Sequence, residues 1–122
     1  MKVCRTLGVF ALALLIASPA LAQSDRGVFY YHTTDKGGTL TTGGVAQNAI
    51  AYNGYRQIWC IQNDPEEEEV LMVRLGGTAS ATAGIALSPG QQACSAPNYS
   101  DRSAVSVYAA TTGHRWFGFE GE

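Results

Sequence analysis

The sequence predicts an all-β chain: a small antiparallel β-sandwich, jelly-roll-like or Greek key in its winding, with one disulfide, following a cleaved signal peptide. Three observations carry this prediction. Beyond residue 22 the chain is a succession of short runs rich in aromatic and β-branched residues. Clusters of Gly, Pro, Asn and Asp separate those runs, and two cysteines remain in a segment that an export signal precedes.

The signal is "MKVCRTLGVFALALLIASPALA". Lys2 and Arg5 stand ahead of an apolar run from Leu7 to Ile16, and Pro19 and an Ala-Leu-Ala ending at Ala22 follow it. A basic start, an apolar centre and a small-residue end are what a signal peptidase substrate requires. A membrane anchor is the competing reading, but the run falls short of the roughly 20 residues a spanning helix needs. Cys4 precedes the apolar run, so it is no lipoprotein cysteine and leaves with the signal. Residues 1–22 are therefore the signal and residues 23–122 one domain, exported to the periplasm or beyond, with no membrane span after cleavage.

The mature segment keeps six basic residues against ten acidic ones, a net charge of −4. Arg26, Lys36, Arg56, Arg74, Arg102 and Arg115 are scattered singly, with no basic face, which excludes nucleic acid as a partner. Cys60 and Cys94 remain, and in an oxidising compartment a disulfide between them is the default. Closing a loop of about 34 residues stabilises a fold by about 3.8 kcal/mol in the chain-entropy model. The rival reading, a metal or redox pair, lacks a CxxC, and His32 and His114 lie far from either cysteine in sequence. No metal and no cofactor are expected.

The elements follow in order. "GVFYYHTT" (27–34) reads as a strand and "DKGG" (35–38) as a turn after it. "TLTTGGVAQNAIAY" alternates weakly and is interrupted by Gly43 and Gly44, as an edge strand or a bulge would be. Asn53-Gly54 is a turn signal leading into "YRQIWCIQN". There Trp59 and Ile61 share one face while Ile58 and Cys60 share the other, which suits a central strand. "DPEEEE" (64–69) reads as a solvated, repulsive hairpin tip rather than a calcium site, because adjacent carboxylates diverge. "VLMVRLGG" then runs back as the second arm of that hairpin. In "RLGGTASATAGIALSPGQQAC" (74–94), Gly76-Gly77 releases the chain from the sheet and small residues cross over the sandwich. Ile85 and Leu87 return to the core, and Pro89-Gly90 turns into the strand carrying Cys94. A phosphate-binding glycine loop is the functional rival, but GxxxxGK[ST] is absent.

The order "RQIWCIQN", a hairpin, "VRLGGTAS", "GIALSPG", "VSVYAATTG" and a terminal "FEG" resembles the small β-sandwich modules of bacteriophage and prophage virion-accessory proteins of the head or tail. The resemblance spans Val45 to Gly121. It implies turn and core roles for the matching residues, among them Arg56, Asn63, Gly76, Pro89, Gly90 and Glu120, and no catalytic or ligand role. The signal peptide and the cysteine pair depart from that pattern and point to an exported module.

No catalytic residue is expected: GxSxG and HExxH are absent, and the acidic residues outside 64–69 sit mostly in turns or at termini. The chain reads as a non-enzyme that works by contact. Five aromatics form the candidate contact set: Tyr52 and Tyr55 flanking Asn53-Gly54, Tyr99 in "SAPNYSDRS", and Trp116 and Phe117 near the C-terminus. Flat rings give contact area at low entropic cost; the bland alternative is that they cap a small core. Three function classes stay open. The first is a structural or interaction subunit with a protein partner or a second copy of itself. The second is a module for a glycan or other cell-surface ligand, and the third a small enzyme or enzyme inhibitor. For export, the intact mass of the periplasmic or secreted product should correspond to a chain starting at Gln23; a chain retaining Met1 in the membrane fraction would contradict the signal.

Overall fold

The computed structural model describes residues 32–96 and 101–122, so the signal segment and Tyr99 lie outside the described residues. Nine strands are present among them: β1 Thr33–Asp35, β2 Gly38–Thr39, β3 Gln47–Ile50, β4 Ile58–Asn63, β5 Leu71–Leu75, β6 Ile85–Leu87, β7 Gln92–Cys94, β8 Val105–Tyr108 and β9 Arg115–Gly121. They form two antiparallel sheets. The first has the order β1-β9-β4-β7 with β2 also on β9, and the second the order β3-β8-β5-β6. Among the described residues no helix is long and apolar enough to cross a membrane.

β1 and β2 are two pieces of one strand, because Asp35 faces Phe119 and Gly38 faces Trp116 in a single continuing register, and Lys36 N–H bonds to Gly118 O between them. With these pieces counted as one, the strands pair first with last: β1/β2 with β9, β3 with β8, β4 with β7 and β5 with β6. That is an antiparallel ribbon folded at β5–β6 and wound so that successive pairs alternate between sheets, the winding of a jelly roll. Closure comes from β4 on β9 and β5 on β8.

Period-2 alternation decides which side chains enter the space between the sheets. Trp59 and Ile61 of β4 and Trp116 of β9 point inward from the first sheet; Ile50, Leu71, Val73, Leu87, Val105 and Val107 point inward from the second. Each such aliphatic side chain stabilises the fold by about 1.5–3 kcal/mol when taken fully out of water. β4 is central, as its two half-apolar faces predict, with β9 and β7 on either side. β3 is an edge strand with a register irregularity between Asn48 and Ile50.

Several sequence expectations are corrected. "DKGG" does not reverse the chain but only interrupts the edge strand. "DPEEEE" is not a hairpin tip: β4 and β5 lie in different sheets, because β9 and β7 already occupy both sides of β4, so the acidic segment crosses between layers. The small-residue stretch after Leu75 does the reverse. It joins β5 to its same-sheet neighbour β6 and folds back over the outer face, where Ser106 Oγ accepts Ala79 N–H at 2.8 Å and donates to Gly77 O at 2.7 Å. Leu87 is core, but Ile85 is exposed on the edge strand. Pro89-Gly90 turns as expected. Gln91 N–H bonds Ser88 O at 2.9 Å, and Gly90 at φ +79° takes the left-handed position of a type II turn.

Cys60 and Cys94 face one another across β4 and β7 with Cα atoms 4.1 Å apart and are bonded. The bridge fastens a three-residue edge strand that has only one neighbour. Replacing either cysteine by Ser should lower the unfolding free energy by about 2–5 kcal/mol; two free thiols in the denatured, unreduced wild type would contradict the bridge.

Candidate functional site

The two ends of the sandwich are organised by two buried polar groups. At one end stands Glu120, on the inward face of β9 opposite Trp59. A carboxylate taken out of water needs charged partners, and Glu120 has two: Arg56 Nε at 2.9 Å and Lys36 Nζ at 2.9 Å. Burial by itself would raise its pKa, but hydrogen bonds and charge from Lys36 and Arg56 outweigh this and hold the carboxyl below its ordinary value.

Arg56 is only 2% exposed, and its remaining donors reach three backbone carbonyls. Nη1 donates to Ser103 O at 2.6 Å and to Asp101 O at 3.2 Å, and Nη2 donates to Ala51 O. One planar guanidinium thus ties β9 to the segment 51–56 and to the segment 101–103, a task suited to its fixed fork of five N–H groups. Asn53 completes the arrangement. Its backbone N–H bonds Arg102 O at 3.1 Å, its Nδ2 donates to Glu122 Oε1 at 2.7 Å, and its Oδ1 accepts Tyr55 N–H at 3.0 Å. Arg56 N–H closes the turn on Asn53 O, and Gln57 N–H bonds Gly121 O.

Held on this frame, Tyr52 and Tyr55 are 71% and 81% exposed. The Tyr52 hydroxyl lies over Gly54, where an added Cβ would sit 3.6 Å from it. A loop with fixed backbone and two exposed rings loses little entropy when a partner covers it. The structure therefore brings Tyr52 and Tyr55 together and does not add the other candidates to them. Trp116 is 3% exposed, its ring in the core under Gly38 and its Nε1 donating to Lys36 O at 3.0 Å, so it packs the sandwich and offers no contact surface. Phe117 is 53% exposed, but on the outer face of β9 opposite Gln62, roughly 20 Å along the strands from Tyr55 at about 3.3 Å per residue. Tyr99 lies outside the described residues.

The opposite end is organised by His114, which is buried. Its Nδ1 faces Glu69 Oε1 at 3.2 Å and Glu67 Oε2 at 3.7 Å, and its Nε2 faces Asn63 Oδ1 at 2.8 Å. Asn63 presents oxygen to the ring because its Nδ2 already donates to Glu69 O and Leu87 O, both at 2.9 Å. Both ring nitrogens therefore face side-chain oxygens. Arg115 adds contacts to Asp64 at 3.1 Å, Glu66 at 2.8 Å and Glu67 at 3.5 Å, and Glu67 Oε1 accepts Arg115 backbone N–H. For Glu69, burial acts to raise the pKa, but hydrogen bonds from Thr111 and the contact with His114 prevail and lower it. The acidic segment is thus bound down, and the expectation of a freely solvated, repulsive tip holds only in part: Glu66 and Glu68 are exposed, whereas Glu67 and Glu69 are half-buried. Among the described residues no group of three or more His, Cys, Asp or Glu side chains is arranged to hold a metal ion.

The resemblance implies turn and core roles for Arg56, Asn63 and Glu120 without naming their partners, and it gives His114 no role. A signal for two of them was present: Asn63 continues the Trp59-Ile61 face and Glu120 continues the Trp116-Gly118 face, so period 2 already placed both inside. Comparison with family models, curated proteins and solved structures gives no match to this chain, and no family is assigned.

Glu69 and Glu120 both have folded-state pKa values below 4.5, their ordinary value. Each therefore contributes stability that is present above pH 4.5 and lost as pH falls through the lowered folded value. Denaturant unfolding at stepped pH should show this acid-side loss, and Glu120→Gln, less stable at neutral pH, should show a shallower one. An unfolding midpoint unchanged from neutral pH to well below that value would contradict it.

Proposed function

We propose that the protein is an exported, non-enzymatic contact module: a structural or interaction subunit, of the phage-derived type that its sequence resembles, which engages a protein partner or a second copy of itself. The observation that carries this reading is the pair of exposed tyrosines on a loop whose backbone is fixed from both sides by Arg56 and Asn53. Exposed aromatics on a preorganised frame lose little on binding and give up much apolar area to a partner, the pattern of interface residues that dominate affinity. Jelly rolls recur as capsid and lectin domains, which supports the reading by fold analogy alone.

Binding of a glycan or other surface ligand is the second reading, favoured by the exposed ring of Phe117 on the outer face of the first sheet. The contact reading is tested by sedimentation over a range of concentrations and by cross-linking in the exporting cell. Wild type should self-associate or give a discrete cross-linked adduct. Joint Tyr52→Ala and Tyr55→Ala should weaken that association at least about tenfold with an unchanged melting temperature. A wild type that stays monomeric at every concentration and gives no adduct would sink the proposal.

A further inference from the structure

The outer face of the first sheet carries a depression of about 270 Å³ whose lining includes Asp35, Gly37, Thr39, Arg115 and Phe117. Its shape follows from register. In the frame that β1 and β2 share, Gly37 lies opposite Phe117, and a Cβ built there would come within 3.6 Å of the Phe117 Cα. Gly37 sets no side chain of its own beside the ring, and the Asp35 carboxylate, which accepts Gly37 N–H at 2.8 Å, borders that flank. Asp35 and Thr39 rise on either side of Gly37 along the edge strand, while Arg115 lies two residues from Phe117 on β9 and Gln62 faces the ring from β4. At this volume the depression is below the size of pockets for drug-sized molecules, about 300–1,000 Å³, and suits a single ring.

Resting on the glycan reading, and independent of the tyrosine loop, we infer that this depression seats one pyranose ring of an uncharged glycan, stacked on Phe117. The charges around it decide against an anionic ligand. Arg115 is committed to Asp64 and Glu66, and Asp64 is further engaged by Glu66 N–H, so no unpaired cation is offered to an anionic sugar. Exposed Asp35 and Glu66 repel such a sugar. Hydroxyl groups donate and accept at once, so they match a rim that mixes the Asp35 carboxylate and the Thr39 hydroxyl. The face of a pyranose presents C–H bonds of partial positive charge to the negative face of an aromatic ring.

The test is binding of the secreted protein to immobilised oligosaccharides of glucose, galactose, mannose and N-acetylglucosamine, beside sialylated and sulfated ones. Intrinsic tryptophan fluorescence is followed with the corresponding methyl glycosides, because Trp116 is the neighbour of Phe117 on β9. One or more uncharged sugars should bind. Phe117→Ala should weaken that binding at least about tenfold, with the melting temperature kept because the ring is half-exposed, and joint Tyr52→Ala and Tyr55→Ala should leave it unchanged. No binding to any sugar overturns the inference together with the glycan reading. Binding that survives Phe117→Ala but is lost with the two tyrosines, or binding to charged glycans alone, overturns the inference and leaves the glycan reading standing.

Discussion

A carboxylate inside the sandwich is the constraint from which the rest of this structure follows. Glu120 points between the sheets because β9 alternates strictly and Trp116 must point there too. Once inside, it requires cations, and Arg56 and Lys36 provide them. Arg56 in turn buries its whole guanidinium, whose other donors would be left unsatisfied without carbonyls from the segments at 51 and at 101–103. Replacing such a pair with apolar side chains is often neutral or stabilising, whereas removing one partner commonly costs about 3–5 kcal/mol. The pair ties the segments at 51 and at 101–103 to β9. It fixes where the Tyr52–Tyr55 loop can be.

The far end solves the same problem with different chemistry. His114, Asn63 and Glu69 link β9, β4 and the acidic crossover, and the acidic run acquires partners from the strand that begins beside it. β9 and the residue just before it therefore carry both polar groups, six residues apart, with the apolar core packed between the two ends. This leaves the loop at one end and the outer face of the first sheet as surfaces whose shape is set from within. The tyrosine pair belongs to the former and Phe117 to the latter.

How far the sequence could be read depended on the range of the signal. Turn and alternation signals are local, and they place the Trp59-Ile61 face, the edge character of β3, the Pro89-Gly90 turn and the paired cysteines. Sheet membership is not local. A turn between two strands reads alike whether they pair or face each other, so the crossover at 64–69 resembled a hairpin and the same-sheet excursion after Leu75 resembled a crossing. Arg56 and Glu120 are 64 residues apart, and no spacing links them. Trp116 enters the candidate contact set because "HRWFGFEGE" sits near the C-terminus. Its alternation is that of a strand with Trp116, Gly118 and Glu120 on the buried side and Phe117 and Phe119 on the other.

The account turns on whether the Tyr52–Tyr55 loop is held rigid by these buried groups. Amide hydrogen exchange of the wild-type protein, resolved by residue, tests this most directly. The backbone N–H groups of Asn53, Tyr55, Arg56 and Gln57 all have acceptors in the structure. They should be protected nearly as well as the amides of β4, although the loop lies at the surface. Exchange at these four positions as fast as in an unstructured peptide, with β4 still protected, would mean that the loop opens freely and that Arg56 does not preorganise a contact surface.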